Sequence, residues 1–269
     1  MDLSLISKAI FLPILKTKII ILSLSFFCLY QNIFPQVNTE KFRIATDSIG
    51  FSVRSGIDFT LMTGNTDFSF LGTNSRFNYN WGEDYTFLVV NGGFGQNNGV
   101  SFFSQAFLHL RNVNSVADLV QLEEFVQYDN NKQILLLHRT LFGGGFRFKI
   151  LQNDELIMRI GTSTFLEHET YDLNNSSLHR RITNVVRLSL YWTSLLDLQR
   201  DVTFLSTTYL QSAIGEFRDV RILSENALNI KLGKTVDLVI NLHMRFDNLP
   251  PDEVGKFDLV SKIGIAMNF

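Results

Sequence analysis

The sequence predicts an all-β protein, an up-and-down antiparallel transmembrane β-barrel of about twelve strands. Three observations carry that prediction. Apolar and polar residues alternate with a period of two over segments of ten or more residues, as in strands with one dry and one wet face. The four prolines are Pro13, Pro35, Pro250 and Pro251, so none falls between Gln36 and Leu249. Proline lacks the N–H that a strand paired on both sides must donate. Arg, Asp, Glu, Lys and His recur on one face of successive segments.

The first 36 residues read differently from the rest. Lys16-Thr17-Lys18 precedes the apolar run Ile19–Tyr30, which is shorter than the roughly 20 residues a helix needs to cross a bilayer. A basic flank and a short apolar stretch fit a cleaved secretory signal peptide, assigned to residues 1–36. Removing it takes away Lys8, Lys16, Lys18 and Asp2 and leaves a charge of about −4, which gives no hint of nucleic-acid binding. Cys28 is the single cysteine; Phe27 before it is too large for a lipoprotein acylation site, so the mature chain is expected to lack thiol chemistry. Residues 37–49 form a short polar lead, expected in the periplasm, and residues 50–269 form the barrel.

Phe51, Val53, Ile57, Phe59 and Leu61 alternate with Ser52, Arg54, Gly56, Asp58 and Thr60. Thr63–Asp67 (TGNTD) is a hairpin turn, followed by a strand from Phe68 to Trp81 and a turn at Gly82-Glu83-Asp84. Later, Arg181, Thr183, Arg187, Ser189 and Tyr191 oppose Ile182, Val186, Leu188, Leu190 and Trp192. The same holds for Arg221, Glu225 and Lys231 against Ile222, Leu228 and Ile230, and for Asp237, His243, Arg245 and Asp247 against Leu238, Ile240, Met244 and Phe246. The chain closes with Phe257, Leu259, Ile263, Ile265, Met267 and Phe269 alternating with Asp258, Lys262 and small residues. Segments 101–112, 118–129 and 200–212 alternate poorly.

A sheet with one apolar face can be a soluble β-sandwich, apolar side inward, or a membrane barrel, apolar side outward. Strands in soluble folds run to about five or six residues, whereas crossing the hydrocarbon at a tilt takes roughly nine to eleven. The longer segments and the charges repeated on one face favour the barrel, which also has no exposed sheet edge.

The segments LMTGNTDFSFLGTNSRFNYNW, LHRTLFGGGFRFKI, FLEHETYDL and RFDNLPPDEVGKFDLVSKIGIAMNF resemble the salt-induced outer membrane proteins (YdiY-like), a family built on a domain of unknown function. The resemblance covers roughly residues 50–269. It implies localisation in the outer membrane, contact with outer-membrane lipid, and no assigned catalytic residue. Ile263, Ile265, Met267 and Phe269 resemble the C-terminal signal read by the barrel-assembly machinery.

Fourteen charged residues lie on predicted inward faces: Arg54, Asp58, Arg159, Glu167, Arg181, Arg187, Arg221, Glu225, Lys231, Asp237, Arg245, Asp247, Asp258 and Lys262. They set the selectivity of a narrow pore for small polar solutes, or they pair into a plug. Barrels of about eight strands are filled by side chains and those of 16 or more hold a channel. Twelve lies between, and so many long charged side chains point to a filled or very narrow lumen.

Glu167, His168, Glu169, Tyr171 and Asp172 flank one turn with Ser176, Ser177 and His179. A lipid-modifying barrel enzyme using Glu167, His168 and His179 is the alternative reading; the plainer one is a polar loop rim. A serine hydrolase needs Ser, His and an acid in mutual reach, and no zinc or EF-hand spacing is present. Gly143–Phe148 (GGGFRF) lacks the helix and Lys-Ser/Thr of a phosphate loop and reads as close packing on a strand. The expectation is therefore a structural or narrow-pore outer-membrane barrel linked to envelope stress, with no catalysis, cofactor or metal. A soluble periplasmic ligand-binding β-sandwich is the remaining alternative.

Overall fold

The computed structural model describes residues 49–64, 67–153, 155–233 and 236–267, with backbone only at 54, 56, 58 and 265–267. The predicted signal peptide with Cys28, the predicted lead up to residue 48, the side chains of Arg54, Asp58, Ile265 and Met267, and Phe269 lie outside that description.

Twelve strands follow one another: β1 (Gly50–Met62), β2 (Phe68–Asn80), β3 (Tyr85–Asn97), β4 (Val100–Ala117), β5 (Val120–Asn131), β6 (Leu136–Gln152), β7 (Leu156–Tyr171), β8 (Ile182–Gln199), β9 (Val202–Ala213), β10 (Glu216–Lys231), β11 (Val236–Asp247) and β12 (Phe257–Met267). Every strand pairs antiparallel with its neighbours in chain order, in one sheet from β1 to β12; no β1–β12 pairing occurs among the described residues. Strands of 11 to 18 residues suit a tilted bilayer crossing.

The sheet coils into an up-and-down barrel. Tyr191 on β8 donates to Glu123 on β5 at 2.5 Å, and Arg147 on β6 donates to Tyr85 on β3 at 3.3 Å. Strands three apart are about 14 Å apart along a sheet, so only strong curvature brings these side chains into contact.

On β8 the two faces separate cleanly. Arg187, Ser189, Tyr191 and Thr193 are buried, while Ile182, Leu188, Leu190 and Trp192 are exposed. The wet-patterned set is the enclosed one, and large apolar side chains such as Phe59, Leu71, Phe94, Phe142 and Leu259 cover the outside. A soluble sandwich would bury that set; here it faces outward, as in a barrel surrounded by lipid.

The three poorly alternating segments are strands β4, β5 and β9. On β4 the inward row is Phe103, Gln105, Phe107, His109, Arg111 and Val113, all buried, with Leu108 and Leu110 outside. Both faces carry apolar residues, so the period of two is blurred. His109 lies among rings, with centroids 6.1 Å from Phe87 and Phe107 and 5.9 Å from Phe125. Arg76 sits 3.9 Å over the Phe87 ring, a cation–π contact. Part of this interior is therefore aromatic.

The β3–β4 hairpin turns on Asn98 and Gly99, with φ of 48° and 77°. An Asn-Gly pair tolerates the left-handed region that such a turn demands. The larger connections lie at the barrel end opposite the termini: 172–181 between β7 and β8, and 248–256 between β11 and β12.

Candidate functional site

Glu167 on β7 is the centre of the interior. Its carboxylate accepts from Arg187 Nε at 2.6 Å, Arg221 Nη1 at 3.0 Å and Arg139 Nε at 3.1 Å. Glu169, two residues on and on the same face, takes Arg221 at 3.0 Å, Arg139 at 3.2 Å and the Thr183 hydroxyl at 3.1 Å. From there the pairing spreads both ways. Arg139 reaches Asp129 at 3.4 Å, and Arg187 clasps Asp219 through two bonds of 2.9 and 2.8 Å. Arg221 continues to Asp247 at 3.0 Å, which also takes Arg245 at 2.9 Å, and Arg245 ends on Asp258 at 3.0 Å. This belt runs around the lumen from β5 to β12.

A second layer lies nearer the termini. Glu123 on β5 gathers Arg111 at 3.5 Å, Arg147 at 3.6 Å and the Tyr191 hydroxyl. Between the layers is a cavity of about 50 Å³ reached by β4 through β10, with His109, Tyr209, Gln211 and Glu225 in its wall. That is room for roughly four waters at about 10–15 Å³ each. Towards the loop end, Leu136, Tyr171 and Leu173 form a buried apolar cap with Ile134 and Leu135 against it.

The inward-facing charges predicted from sequence divide into three groups. Glu167, Arg187, Arg221, Arg245 and Asp247 are buried in the belt, Asp258 closes it, and Glu225 is buried 3.5 Å from His243. Arg159, Asp237 and Lys262 are half-buried, Arg159 bonding Gln152 at 3.2 Å. Arg181 and Lys231 depart from the expectation. Arg181 precedes β8, is exposed, and donates to the Leu173 carbonyl at 2.6 Å; Lys231 is exposed at the end of β10. Both lie where the ladder ends, so parity no longer sets their direction.

Glu169, Arg139, Asp129, Glu123, Arg111 and Arg147 belong to the network, and the sequence pattern missed them. Glu169 was legible from its two-residue offset from Glu167, had the run been read as strand rather than rim. Arg139 follows a register shift between Leu136 and His138; such a bulge reverses parity and hides an inward residue.

The proposed lipid-modifying constellation does not assemble. Adjacent residues on a strand point to opposite faces. Glu167 therefore faces the lumen while His168 is exposed outside, bonded to Asn184 at 2.7 Å. His179 lies in the 172–181 loop, its Nδ1 2.8 Å from the Arg180 carbonyl. Among the described residues no group of three His, Cys, Asp or Glu is arranged to hold a metal.

The two large loops are clasped together. Asp252 accepts from the Ser177 hydroxyl, from Leu178 N at 2.6 Å and from His179 N at 3.2 Å, and Asn174 donates to Glu253. These bonds, the Ser177 hydroxyl foremost, hold the Asp252 carboxyl below its ordinary value of 3.8. A depressed carboxylate stabilises the clasp above the ordinary value, and that contribution is lost as pH falls through the depressed one. Asp252→Ala should release the loop at neutral pH, and trypsin should then cut faster after Arg180 and Arg181. An unchanged cleavage rate would refute the clasp.

The Gly143–Gly145 run packs against β7 rather than cradling an anion. A Cβ on Gly145 would lie 2.0 Å from the Thr162 carbonyl oxygen, and one on Gly143 2.5 Å from that of Thr164.

No curated protein matches this sequence. Among solved structures, one titled "NanC porin structure in rhombohedral crystal form" aligns with a TM-score of 0.45 at 10% identity, over 76% of this chain and 97% of that one. The family model described as "Protein of unknown function, DUF481" matches residues 56–269. With nearly all of the barrel matched, the chain belongs to the DUF481 family.

Proposed function

We propose that this protein is an outer-membrane β-barrel whose lumen is normally shut, a structural envelope component rather than a freely conducting pore. The observation that supports this is the double ion-paired filling, the belt around Glu167 and the layer around Glu123, with a 50 Å³ cavity between them. Seven buried arginines among the described residues, at 76, 111, 139, 147, 187, 221 and 245, fill a lumen that twelve strands could otherwise keep open. The apolar outer band and the strand lengths support the membrane setting. The alternating C-terminal residues support insertion by the barrel-assembly machinery. A link to envelope stress rests on the resemblance to salt-induced proteins, and normal growth of a deletion strain at high salt would count against it.

Planar-bilayer recording on refolded protein tests the closed lumen. The wild type should show no discrete conductance at moderate voltage. Arg221→Ala combined with Arg139→Ala should introduce conductance events by removing two of the side chains that span the belt. Stable unitary conductance in the wild type would reject the closed reading. A chain that stays soluble without detergent and shows no heat-dependent gel mobility would reject the membrane setting.

A further inference from the structure

The outer surface is not uniformly apolar. On β5 to β8, close to the loop end, one register row reads Tyr128, Thr140, His168, Asn184, each the ladder partner of the next. His168 and Asn184 are joined at 2.7 Å, and the Tyr128 hydroxyl lies 2.9 Å from Nδ1 of the neighbouring His138. Thr140, His168, Asn184 and His138 are exposed. Two residues further from the loops, the outward row of the same four strands is Val126, Phe142, Leu166, Val186. All four are exposed and all are apolar. Four strands make each row about 14 Å wide.

The boundary between the two rows has the polarity of a lipid, with a hydrogen-bonding row above a row fit for acyl chains. Arg180 and Arg181, at the start of β8 and exposed, add positive charge on the loop side of the polar row. With Asn184 Oδ1 accepting, His168 Nδ1 is the donor of that bond, and the polar row offers donors to an anionic oxygen. Donors and cations over an apolar shelf fit a phosphate carried on hydrocarbon chains.

We propose that the row Tyr128–Thr140–His168–Asn184, with His138, Arg180 and Arg181, binds the phosphate-bearing headgroup of a membrane lipid whose chains lie on Val126, Phe142, Leu166 and Val186. The proposal rests on the membrane-barrel reading above.

The test is native mass spectrometry of the refolded full chain released from nanodiscs doped with phosphatidic acid or with diacylglycerol of the same chains. Wild type should retain phosphatidic acid and not diacylglycerol. His138→Leu with His168→Leu should lower that retention about tenfold, a loss of about 1.4 kcal/mol, with heat-dependent gel mobility unchanged. Equal retention by variant and wild type, or of both lipids, would overturn the proposal. So would displacement by excess inorganic phosphate, which would make this a free-phosphate site. A dimer that the double substitution dissolves would assign the row to contact between copies instead, and also overturn it. Failure of the wild type to enter nanodiscs or to show heat-dependent mobility would defeat the membrane reading itself, and is thereby distinguished from failure of the lipid site.

Discussion

Gly145→Val is expected to abolish barrel formation. The new Cβ would lie 2.0 Å from the Thr162 carbonyl oxygen and 2.5 Å from Ser163 Cα. Both atoms are backbone of the adjacent strand, so no side-chain rotation relieves the overlap. Relief requires β6 and β7 to part, yet Arg139 on β6 is paired with Glu167 and Glu169 on β7. Overpacking against movable side chains costs about 1–3 kcal/mol; against two backbone atoms the cost should exceed this and approach the roughly 5–15 kcal/mol that holds a domain together. Refolding into lipid vesicles, read as the heat-modified band on a gel, should fall to background. Gly264→Ala is the control, since nothing lies within 4 Å of a Cβ there, and it should fold as wild type. Folding of the valine variant at wild-type yield would show that the close β6–β7 approach is not required.

Glu167→Ala should be the most damaging removal of a single charge. Its carboxylate holds Arg139, Arg187 and Arg221 within 3.1 Å, and all three arginines are buried. Removing one partner from a buried ionic group costs about 3–5 kcal/mol, because the charges left behind lose their compensation without regaining water. Urea unfolding in vesicles should show a loss of that size. Arg187→Leu added to Glu167→Ala should cost less than the two single changes summed, since it removes one of the stranded cations. A single-variant loss below about 0.5 kcal/mol would mean that the belt is hydrated and its members independent.

The buried pairs need not add net stability over an apolar filling of the same volume. Their value lies in what the setting forbids. In the proposed membrane setting, with lipid outside, polar residues must lie inside, and inside they must satisfy one another. The clustering of guanidiniums around Glu167 and Glu169 meets that demand without a continuous water column.

Local pattern carried a great deal. The alternation of Ile182, Val186, Leu188, Leu190 and Trp192 with Arg187, Ser189 and Tyr191 was enough to predict which face of β8 is enclosed, and the near absence of proline agreed with paired strands. Both are properties of a few adjacent residues, set by the two-residue geometry of the strand. Where both faces are apolar, as on β4 with Phe103 and Phe107 inside, the same rule had less contrast to work with. Where a bulge reverses parity, as before Arg139, counting in twos from Leu136 would place the arginine on the outer face.

The sequence by its local pattern thus established an all-β chain of about twelve strands, the enclosed face of β8, β10 and β11, and a charged lumen. Which charges meet is set by the coiled sheet as a whole. Glu167 and Arg221 are 54 residues apart, and their meeting depends on the curvature of the sheet and on the register accumulated over the intervening strands. The same geometry sends Glu167 inward and its neighbour His168 outward, and so replaces a supposed catalytic cluster with a buried ionic belt and a separate outer surface. Period two is a local property of the backbone, whereas contact across a barrel is a sum over every strand between.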